Sequence, residues 1–343
     1  PGHFKPVFTR ALKLAGGDPE CVRLASFGET VAGVDDPDNV ARASVACAIH
    51  GIPLGLAAPA SRAPVNPETM VIGGGVAGIE TALRIADAGS KVHLVERSAT
   101  IGGHMAMFDK TFPTLDCAAC ILTPKMVAVG QHENIDILNC AEVQSVSGVA
   151  GDYKVRVLRK ARRVDPDACV ACHACRDVCP TKVPSEFDEG IVNRKAIYMA
   201  FPQAIPNSYV VDGDTCLWVR SEGKKCGACV KKCPKDAIHL DEEPRSVELT
   251  VGNIVVATGF DTFDAELIDR YGYGVLPNVL TALEFERLTN ASGPTGGRIV
   301  TRTIQRKRKT KEEQWVFDTD APAPRSVAII HCVGSRDQNH NPY

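Results

Sequence analysis

One run of cysteines constrains this chain more than any other feature of its sequence. The segment Cys169-Val-Ala-Cys-His-Ala-Cys-Arg-Asp-Val-Cys-Pro180 has the spacing C-x2-C-x2-C-x3-C-P that bacterial ferredoxins use. In that pattern three thiolates surround one iron–sulfur cubane, and the fourth cysteine, next to the proline, ligates a second cluster. A structural zinc site is the alternative, but zinc ribbons separate two C-x2-C pairs and do not need the trailing Cys-Pro. The run therefore predicts iron–sulfur clusters.

A second run, Cys226-Gly-Ala-Cys-Val-Lys-Lys-Cys-Pro234, is one cysteine short of the same pattern. Gly223 stands where its first ligand is expected, and Cys216 is the available substitute, delivered by the loop 217–225. If Cys216 does not reach the site, the second cluster would be a three-iron species. We expect one cluster on Cys169, Cys172, Cys175 and Cys233, and the other on Cys179, Cys216, Cys226 and Cys229.

The total of fourteen cysteines points to a reducing compartment. A chain of 343 residues has no need of seven disulfides, and clustered cysteines in such a compartment usually hold metal, so a cytoplasmic location is expected. The net charge of −2 gives no general attraction to nucleic acid or anionic membrane. We interpret the basic run 305–311 as a solvated surface loop. The longest uncharged stretch, 43–61, contains glycines and prolines that break a helix, so no membrane span is expected.

The glycine-rich segment Met70-Val-Ile-Gly-Gly-Gly-Val-Ala-Gly-Ile79 predicts a dinucleotide site. A short buried strand ends here, and Gly73, Gly75 and Gly78 fit G-x-G-x-x-G at the start of a helix. These glycines permit a tight turn, close approach of a pyrophosphate and close packing of helix on strand, while the helix N-terminus holds the phosphate. A second strand, 91–95, ends in Glu96, which is placed to accept hydrogen bonds from a ribose hydroxyl.

Two further segments favour FAD over NAD. Arg97 and the pair Gly102-Gly103 follow the acidic residue as they do in two-dinucleotide-domain flavoproteins, which they resemble. The strand that ends in Ala257-Thr258-Gly259 resembles the strand that closes the FAD site in that superfamily, although an ordinary strand-to-loop turn is the alternative. The segment 325–335 has the form of another nucleotide-fold strand, 327–330, but only one glycine follows it. A pyridine nucleotide site is therefore not expected there.

Three regions are expected in this α/β chain. Residues 1–67 form a partial N-terminal domain and linker, and residues 164–245 form an inserted ferredoxin domain. Residues 68–163 and 246–343 form a discontinuous FAD-binding domain that is incomplete at its C-terminal end. Because the Ala-Thr-Gly strand follows the cysteine runs, the ferredoxin region interrupts the flavin domain and is anchored at both ends.

The remaining cysteines allow more than one interpretation. Cys117-Ala-Ala-Cys120 has the spacing of a redox pair or of half a metal site, and a buried structural pair is the third possibility. Cys21 and Cys47 could complete a cluster with this pair, although no spacing requires it. Cys140 follows the apolar strand 135–138 and is expected in the core.

These features together resemble the A-type subunit of heterodisulfide reductase, which is the flavin subunit of the methanogen enzyme and of related anaerobe complexes. The resemblance covers about residues 68–343 and, more loosely, the segment before them. It is carried by the Gly73 fingerprint, Gly102-Gly103, Lys110-Thr-Phe-Pro113, Asp116-Cys117, both cysteine runs and Cys332-Val-Gly-Ser-Arg-Asp337.

The resemblance implies a two-dinucleotide-domain flavoprotein with a thioredoxin-reductase-like Rossmann fold and an inserted α+β bacterial-type two-cluster ferredoxin domain. It implies an oxidoreductase component that acts on sulfur groups and carries FAD and two [4Fe–4S] clusters. FAD would be the branch point of electron bifurcation in methanogenesis. A hydrogenase or formate dehydrogenase supplies electron pairs, and single electrons go to ferredoxin and to the disulfide-reducing partner subunits.

The resemblance also implies site residues, although no side chain is assigned a catalytic role. Cys332 would help to ligate a further [4Fe–4S] cluster, and Cys117 and Cys120 are candidates for another. The expected cofactor-binding residues are Gly73, Gly75, Gly78, Glu96, Arg97, Gly102, Gly103, Lys110, Ala257, Thr258 and Gly259.

Three other functions compete with this one. An NAD(P)H-linked flavoprotein like the small subunit of glutamate synthase needs a second complete glycine fingerprint, which 331–337 does not supply. A protein that passes electrons between a quinone module and sulfur metabolism would contain the same cofactors and differ only in its partners. A non-catalytic iron–sulfur scaffold would lack the flavin.

Overall fold

The computed structural model describes residues 5–16, 22–23, 36–50, 65–306 and 313–335. The chain divides into two compact units, Pro1–Pro64 and Val65–Tyr343. The first unit contributes two helices, α1 (Lys5–Leu14) and α2 (Pro37–His50). The loop expected at 305–311 falls mostly outside the described residues, as does Cys21.

The second unit contains all the other elements. Its helices are α3 (Val76–Asp87), α4 (Ala118–Gln131), α5 (Ala174–Val178), α6 (Leu217–Arg220), α7 (Ala228–Lys232) and α8 (Ala282–Thr289). Its strands are β1 (Thr69–Ile72), β2 (Val92–Val95), β3 (Ile135–Leu138), β4 (Ala141–Val149), β5 (Asp152–Arg159), β6 (Lys182–Pro184), β7 (Asn193–Lys195), β8 (Ile197–Tyr198), β9 (Val210–Val211), β10 (Arg245–Val251), β11 (Asn253–Val256), β12 (Arg302–Arg306) and β13 (Glu313–Phe317).

A four-stranded parallel sheet, in the order β11-β1-β2-β3, forms the base of the glycine-rich turn. Apolar side chains from β1 and β2, such as Val71 and Leu94, are fully buried with Ile79 of α3 and Leu122 of α4. Parallel strands covered by helices need such uninterrupted apolar runs, which explains why these short segments form strands. The expected order of strand, turn, helix and second strand is confirmed.

An antiparallel sheet of β10-β5-β4 frames the cysteine-rich region. Strand β5 pairs with β10 along its length, and the pairing begins with Arg159 opposite Arg245. The chain therefore leaves this sheet at residue 159 and returns to it at residue 245. Residues 164–245, which we call the cluster segment, lie between these two anchored ends.

Two buried arginines join the cluster segment to the nucleotide sheet region. Arg287 of α8 is 1% exposed, and it donates hydrogen bonds to Asp188 (3.1 Å) and to the carbonyl of Met107 (3.0 Å). Arg162 donates to the carbonyl of Ala99 and to the hydroxyl of Ser208, both at 2.8 Å. Hydrogen bonds from a charged donor are among the stronger ones, so these two side chains fix the position of the cluster segment.

One predicted strand is wrong. Residues 327–330 were expected to form a strand, but they belong to none of the strands that the structure describes, and Ile329 is 73% exposed. An apolar segment becomes a strand only where a neighbouring strand supplies hydrogen bonds, and no strand among the described residues pairs with this one. Within the described ranges, no helix is long and apolar enough to cross a membrane.

Candidate nucleotide and iron–sulfur sites

Only glycine fits at two positions here, one in the turn between β1 and α3 and one in the first turn of α3. Gly73 has a φ of +107°, and a Cβ atom there would lie 2.3 Å from the carbonyl oxygen of Ala257. A Cβ atom on Gly78 would lie 1.8 Å from the carbonyl oxygen of Gly73. Both distances are far below a van der Waals contact, so these glycines allow strand, turn and helix to pack together.

Gly75 differs from these two glycines because a Cβ atom there would meet no atom within 4 Å. It is the N-cap of α3, and no side chain accepts a hydrogen bond from the first amides of this helix. The first turn of α3 also contains no acidic residue. Free amides, the helix dipole and open space together suit a pyrophosphate, so the turn fits the phosphates of a dinucleotide.

Glu96 closes the turn from the end of β2. Its carboxylate is 9% exposed, and one oxygen accepts a hydrogen bond from the amide of Gly74 at 2.7 Å. The other oxygen accepts hydrogen bonds from the amide and the hydroxyl of Ser98, both at 2.8 Å. The contact with Gly74 was not foreseen from the sequence. The sequence signal for this contact was Gly74, the middle glycine of the triplet 73–75, because a Cβ atom there would lie 3.0 Å from the Glu96 carboxylate.

Replacing Glu96 by glutamine is expected to weaken both the fold and flavin binding. An amide has one acceptor oxygen, so at least one of the donors from Gly74 and Ser98 loses its partner, at a cost of about 1–3 kcal/mol. Thermal unfolding and flavin content after gel filtration measure the two effects. Glu133→Gln is a matched control, because Glu133 is exposed and its side chain forms no ion pair with a described residue. Unchanged stability and flavin content in Glu96→Gln would contradict this role.

The second glycine pair packs directly on the first turn. The amide of Gly102 donates to the carbonyl of Gly74 at 2.7 Å, and Gly102 and Gly103 have φ values of +128° and +56°. A Cβ atom on Gly103 would lie 2.9 Å from the Cα atom of Gly75. The structure thus brings together the two glycine segments that were expected to share one cofactor.

The remaining predicted flavin residues either lie beside the glycine turn or are exposed to solvent. The amide of Ala257 donates to the carbonyl of Ile72 at 2.8 Å, which places the Ala-Thr-Gly segment beside the glycine turn. Thr258 and Gly259 follow it and are exposed. Arg97 and Lys110 are also exposed, and neither side chain forms a hydrogen bond or ion pair with a described residue.

The cysteines of the cluster segment surround two separate cavities. The first is lined by Cys169, Cys172, Cys175 and Cys233. The second is lined by Cys179, Cys216, Cys226 and Cys229. Each cavity therefore takes three cysteines from one part of the segment and one from the other. This is the grouping expected from the sequence, and Cys216 lies where the missing ligand was sought.

The two sets of cysteines lie around two short helices with the same local structure, α5 and α7. Helix α5 begins after His173, and α7 begins after Gly227, and both of these N-cap residues have left-handed backbone (φ +65° and +99°). Each short helix buries one cysteine, Cys175 or Cys229. The two helices pack together, so the cysteine that follows each helix is directed to the cavity of the other run.

Burial determines how the inner thiols titrate. It raises the pKa of Cys175 to about 12 and that of Cys229 to about 11. These thiols stay protonated at neutral pH unless a cation replaces the proton, as iron does when it binds thiolate. No three His, Cys, Asp or Glu side chains of the described residues converge tightly enough to hold a single ion. Four thiols line each cavity, and four thiolates are the ligand set that a cubane takes.

The cysteines outside the cluster segment take different positions. Cys117 and Cys120 form a disulfide at the start of α4. Cys140 is 8% exposed, as expected for a core residue. Cys332 lies exposed in a turn, where its carbonyl accepts a hydrogen bond from the hydroxyl of Ser335 at 2.9 Å. Metal ligation by Cys117, Cys120 and Cys332 stays a prediction.

Comparison with known families agrees with both sites. A model of FAD-dependent oxidoreductases matches residues 68–112, and a model of 4Fe–4S binding domains matches residues 162–185. The first match contains both glycine segments and Glu96, and the second contains the first cysteine run. The chain therefore combines an FAD-dependent oxidoreductase domain with a 4Fe–4S ferredoxin-like domain.

Some related proteins align with nearly the whole chain. The A-type subunit of the H(2):CoB-CoM heterodisulfide,ferredoxin reductase of Methanothermobacter thermautotrophicus is 42% identical over 98% of this chain and 49% of its own length. The second of two A-type iron-sulfur subunits of the CoB–CoM heterodisulfide reductase of Methanopyrus kandleri is 44% identical over the whole of this chain and 50% of its own length. The chain thus spans about half the length of these relatives.

Among solved structures, L-proline dehydrogenase from P. horikoshii matches 29% of this chain and 20% of its own chain, with 27% identity and a TM-score of 0.24.

Proposed function

We propose that this chain, which is 42% and 44% identical to two A-type heterodisulfide reductase subunits over the half of those proteins that it spans, belongs to their family and carries electrons between FAD and two [4Fe–4S] clusters. The observation that carries this proposal is the pair of cavities, each lined by four cysteines, in the same compact unit as the glycine turn. An FAD bound there would exchange electron pairs with a donor and single electrons with the clusters.

The chain's own residues would bind and orient these groups. The amides at the start of α3 would hold the pyrophosphate, and the open space at Gly75 admits it. Glu96 keeps the turn in shape through Gly74 and is the candidate for a ribose hydroxyl. Ala257 at the end of β11 closes one side of this site.

The clusters would be held by four thiolates each, in the two sets that line the cavities. Apolar side chains also line the cavities, with Trp218 at the second and Val164 and Ile238 at the first. Such walls limit the access of water, which is one way in which a protein tunes the potential of a cluster. Arg162 and Arg287 would keep the distance between the clusters and the flavin constant, because they fasten the cluster segment to the nucleotide region.

The names of the relatives extend the proposal to the source and destination of the electrons. A Methanococcus maripaludis relative, 39% identical over the whole of this chain, is the A-type subunit of an H(2)/formate:CoB-CoM heterodisulfide,ferredoxin reductase. We propose that this chain likewise receives electron pairs from a hydrogenase or formate dehydrogenase. It would pass single electrons to ferredoxin and to disulfide-reducing subunits, so that its flavin bifurcates electrons. The cytoplasm, which keeps thiols reduced, is its proposed location.

Anaerobic purification of the protein with its native partners tests this proposal. We expect one flavin per chain and about eight iron and eight sulfide atoms from the cluster segment. Hydrogen or formate should reduce the flavin only in the presence of the partner subunits. A protein without a flavin absorption band, or one that NADPH alone reduces, would contradict the proposal and favour the scaffold or the NAD(P)H-linked reductase.

A further inference from the structure

The two cysteines at the start of α4 form a covalent pair that electron transfer between FAD and the clusters does not use. Cys117 and Cys120 are disulfide-bonded, with their Cα atoms 5.2 Å apart. All the other cysteines that the structure describes are free thiols. The bond encloses only two residues, and a disulfide that closes so short a loop constrains little of the unfolded chain. Stabilisation of the fold therefore does not account for the Cys117–Cys120 disulfide.

The environment of the pair is asymmetric in a way that suits thiol–disulfide exchange. Cys117 is the N-cap of a fourteen-residue helix, and its sulfur accepts a hydrogen bond from the amide of Cys120 at 3.2 Å. The sulfur of Cys117 already accepts this amide hydrogen bond, which places Cys117 as the leaving group of the pair. Cys120 is exposed, whereas Cys117 is half-buried. An incoming thiolate therefore has its readiest access to the sulfur of Cys120.

We propose that Cys117 and Cys120 form a reversible thiol–disulfide exchange site whose reaction partner is a dithiol. A partner thiolate attacks the sulfur of Cys120, a mixed disulfide forms, and Cys117 leaves as a thiolate. The second thiolate of the partner then attacks the partner sulfur that is bonded to Cys120. This closes the partner's disulfide and releases Cys120 as a thiolate. The partner loses two electrons, the pair gains two, and the two protons of the partner's thiols pass to Cys117 and Cys120. This inference goes beyond the proposed electron transfer and does not depend on it.

Redox titration of the intact protein tests the proposal. The anaerobically purified chain, with its cofactors, is equilibrated with mixtures of reduced and oxidised dithiothreitol, and free thiols are then blocked with N-ethylmaleimide. Peptide mapping by mass spectrometry gives the fraction of chains in which the two cysteines are bridged. We expect one reversible two-electron transition, in which a tenfold change in the dithiol-to-disulfide ratio changes the reduced-to-bridged ratio of the pair tenfold. Reduced thioredoxin in place of dithiothreitol shows whether a protein dithiol reacts faster than a small one.

Single variants test the roles of the two sulfurs. Cys117→Ser should leave Cys120 as an exposed thiol that forms a lasting mixed disulfide with oxidised glutathione, which has no second thiol to release it. Serine is itself a good helix N-cap, so α4 should remain folded. Cys120→Ser should form the mixed disulfide more slowly, because Cys117 is half-buried. Val127→Ala is the control, since Val127 is an exposed residue of the same helix, and it should leave the titration unchanged.

Two results would overturn the proposal. The pair could remain blocked by N-ethylmaleimide at every ratio, which would show that no bridge forms. Alternatively, the pair could resist both bridging and blocking while Cys117→Ser and Cys120→Ser each lower the iron content, which would assign these cysteines to a further cluster. Flavin, iron and sulfide are measured on the same samples, so a failure of the proposed electron-transfer function is recognised separately.

Discussion

Replacing Cys169 and Cys233 together by serine is expected to remove one iron–sulfur cluster and to leave the other intact, although these residues belong to different cysteine runs. Both side chains line the first cavity, whereas the second cavity is lined by four different cysteines. The iron and acid-labile sulfide contents should therefore fall by about half. Electron paramagnetic resonance of the reduced protein should show the loss of one of two interacting centres.

A second double variant makes this experiment decisive. Cys169→Ser with Cys179→Ser changes two residues of the same run, but these residues line different cavities. Nearly all the iron of the cluster segment should therefore be lost. If each run bound its own cluster, the two results would be exchanged. Cys140→Ser serves as the control, because Cys140 is a free thiol outside both cavities.

The grouping of the eight cysteines around two cavities was predictable from the sequence for a local reason. The position of three cysteines around one cavity depends on spacing within a single short turn, and the Cys-Pro step marks the residue that crosses to the other cluster. Cys216 was identified by elimination, and the structure places it at the second cavity. The strand, turn and helix around Gly73 are local in the same sense, since apolar periodicity and three glycines specify them.

The features that the sequence did not predict depend on contacts between distant residues. Arg287 binds the carbonyl of Met107, which is 180 residues away, and no pattern around either residue indicates this pairing. The contact between Glu96 and Gly74 was missed because the carboxylate was considered only as a ligand for ribose. The strand expected at 327–330 failed for a related reason. Its run of consecutive apolar residues fits a strand, but pairing depends on a neighbour that the local pattern cannot supply.

Replacing Gly78 by alanine is expected to destabilise the protein strongly and to abolish flavin retention. The added Cβ atom would lie 1.8 Å from the carbonyl oxygen of Gly73, which is backbone and cannot rotate away. Helix α3 would have to move from β1, where Ile79 and Ala82 are fully buried, and we expect a loss of at least about 3 kcal/mol in the free energy of unfolding. Chemical denaturation and flavin content measure both effects.

Gly75→Ala distinguishes the two uses of glycine in this turn. A Cβ atom at position 75 meets no protein atom within 4 Å, so the free energy of unfolding of the flavin-free protein should change little. The same atom occupies the space through which a pyrophosphate would reach the amides of α3, so FAD affinity should fall about tenfold or more. The iron content should stay constant, because the cluster cavities are formed by other residues. If Gly75→Ala retained flavin as tightly as the native protein, the phosphates would bind elsewhere, and the glycine turn would serve only to pack the helix on the sheet.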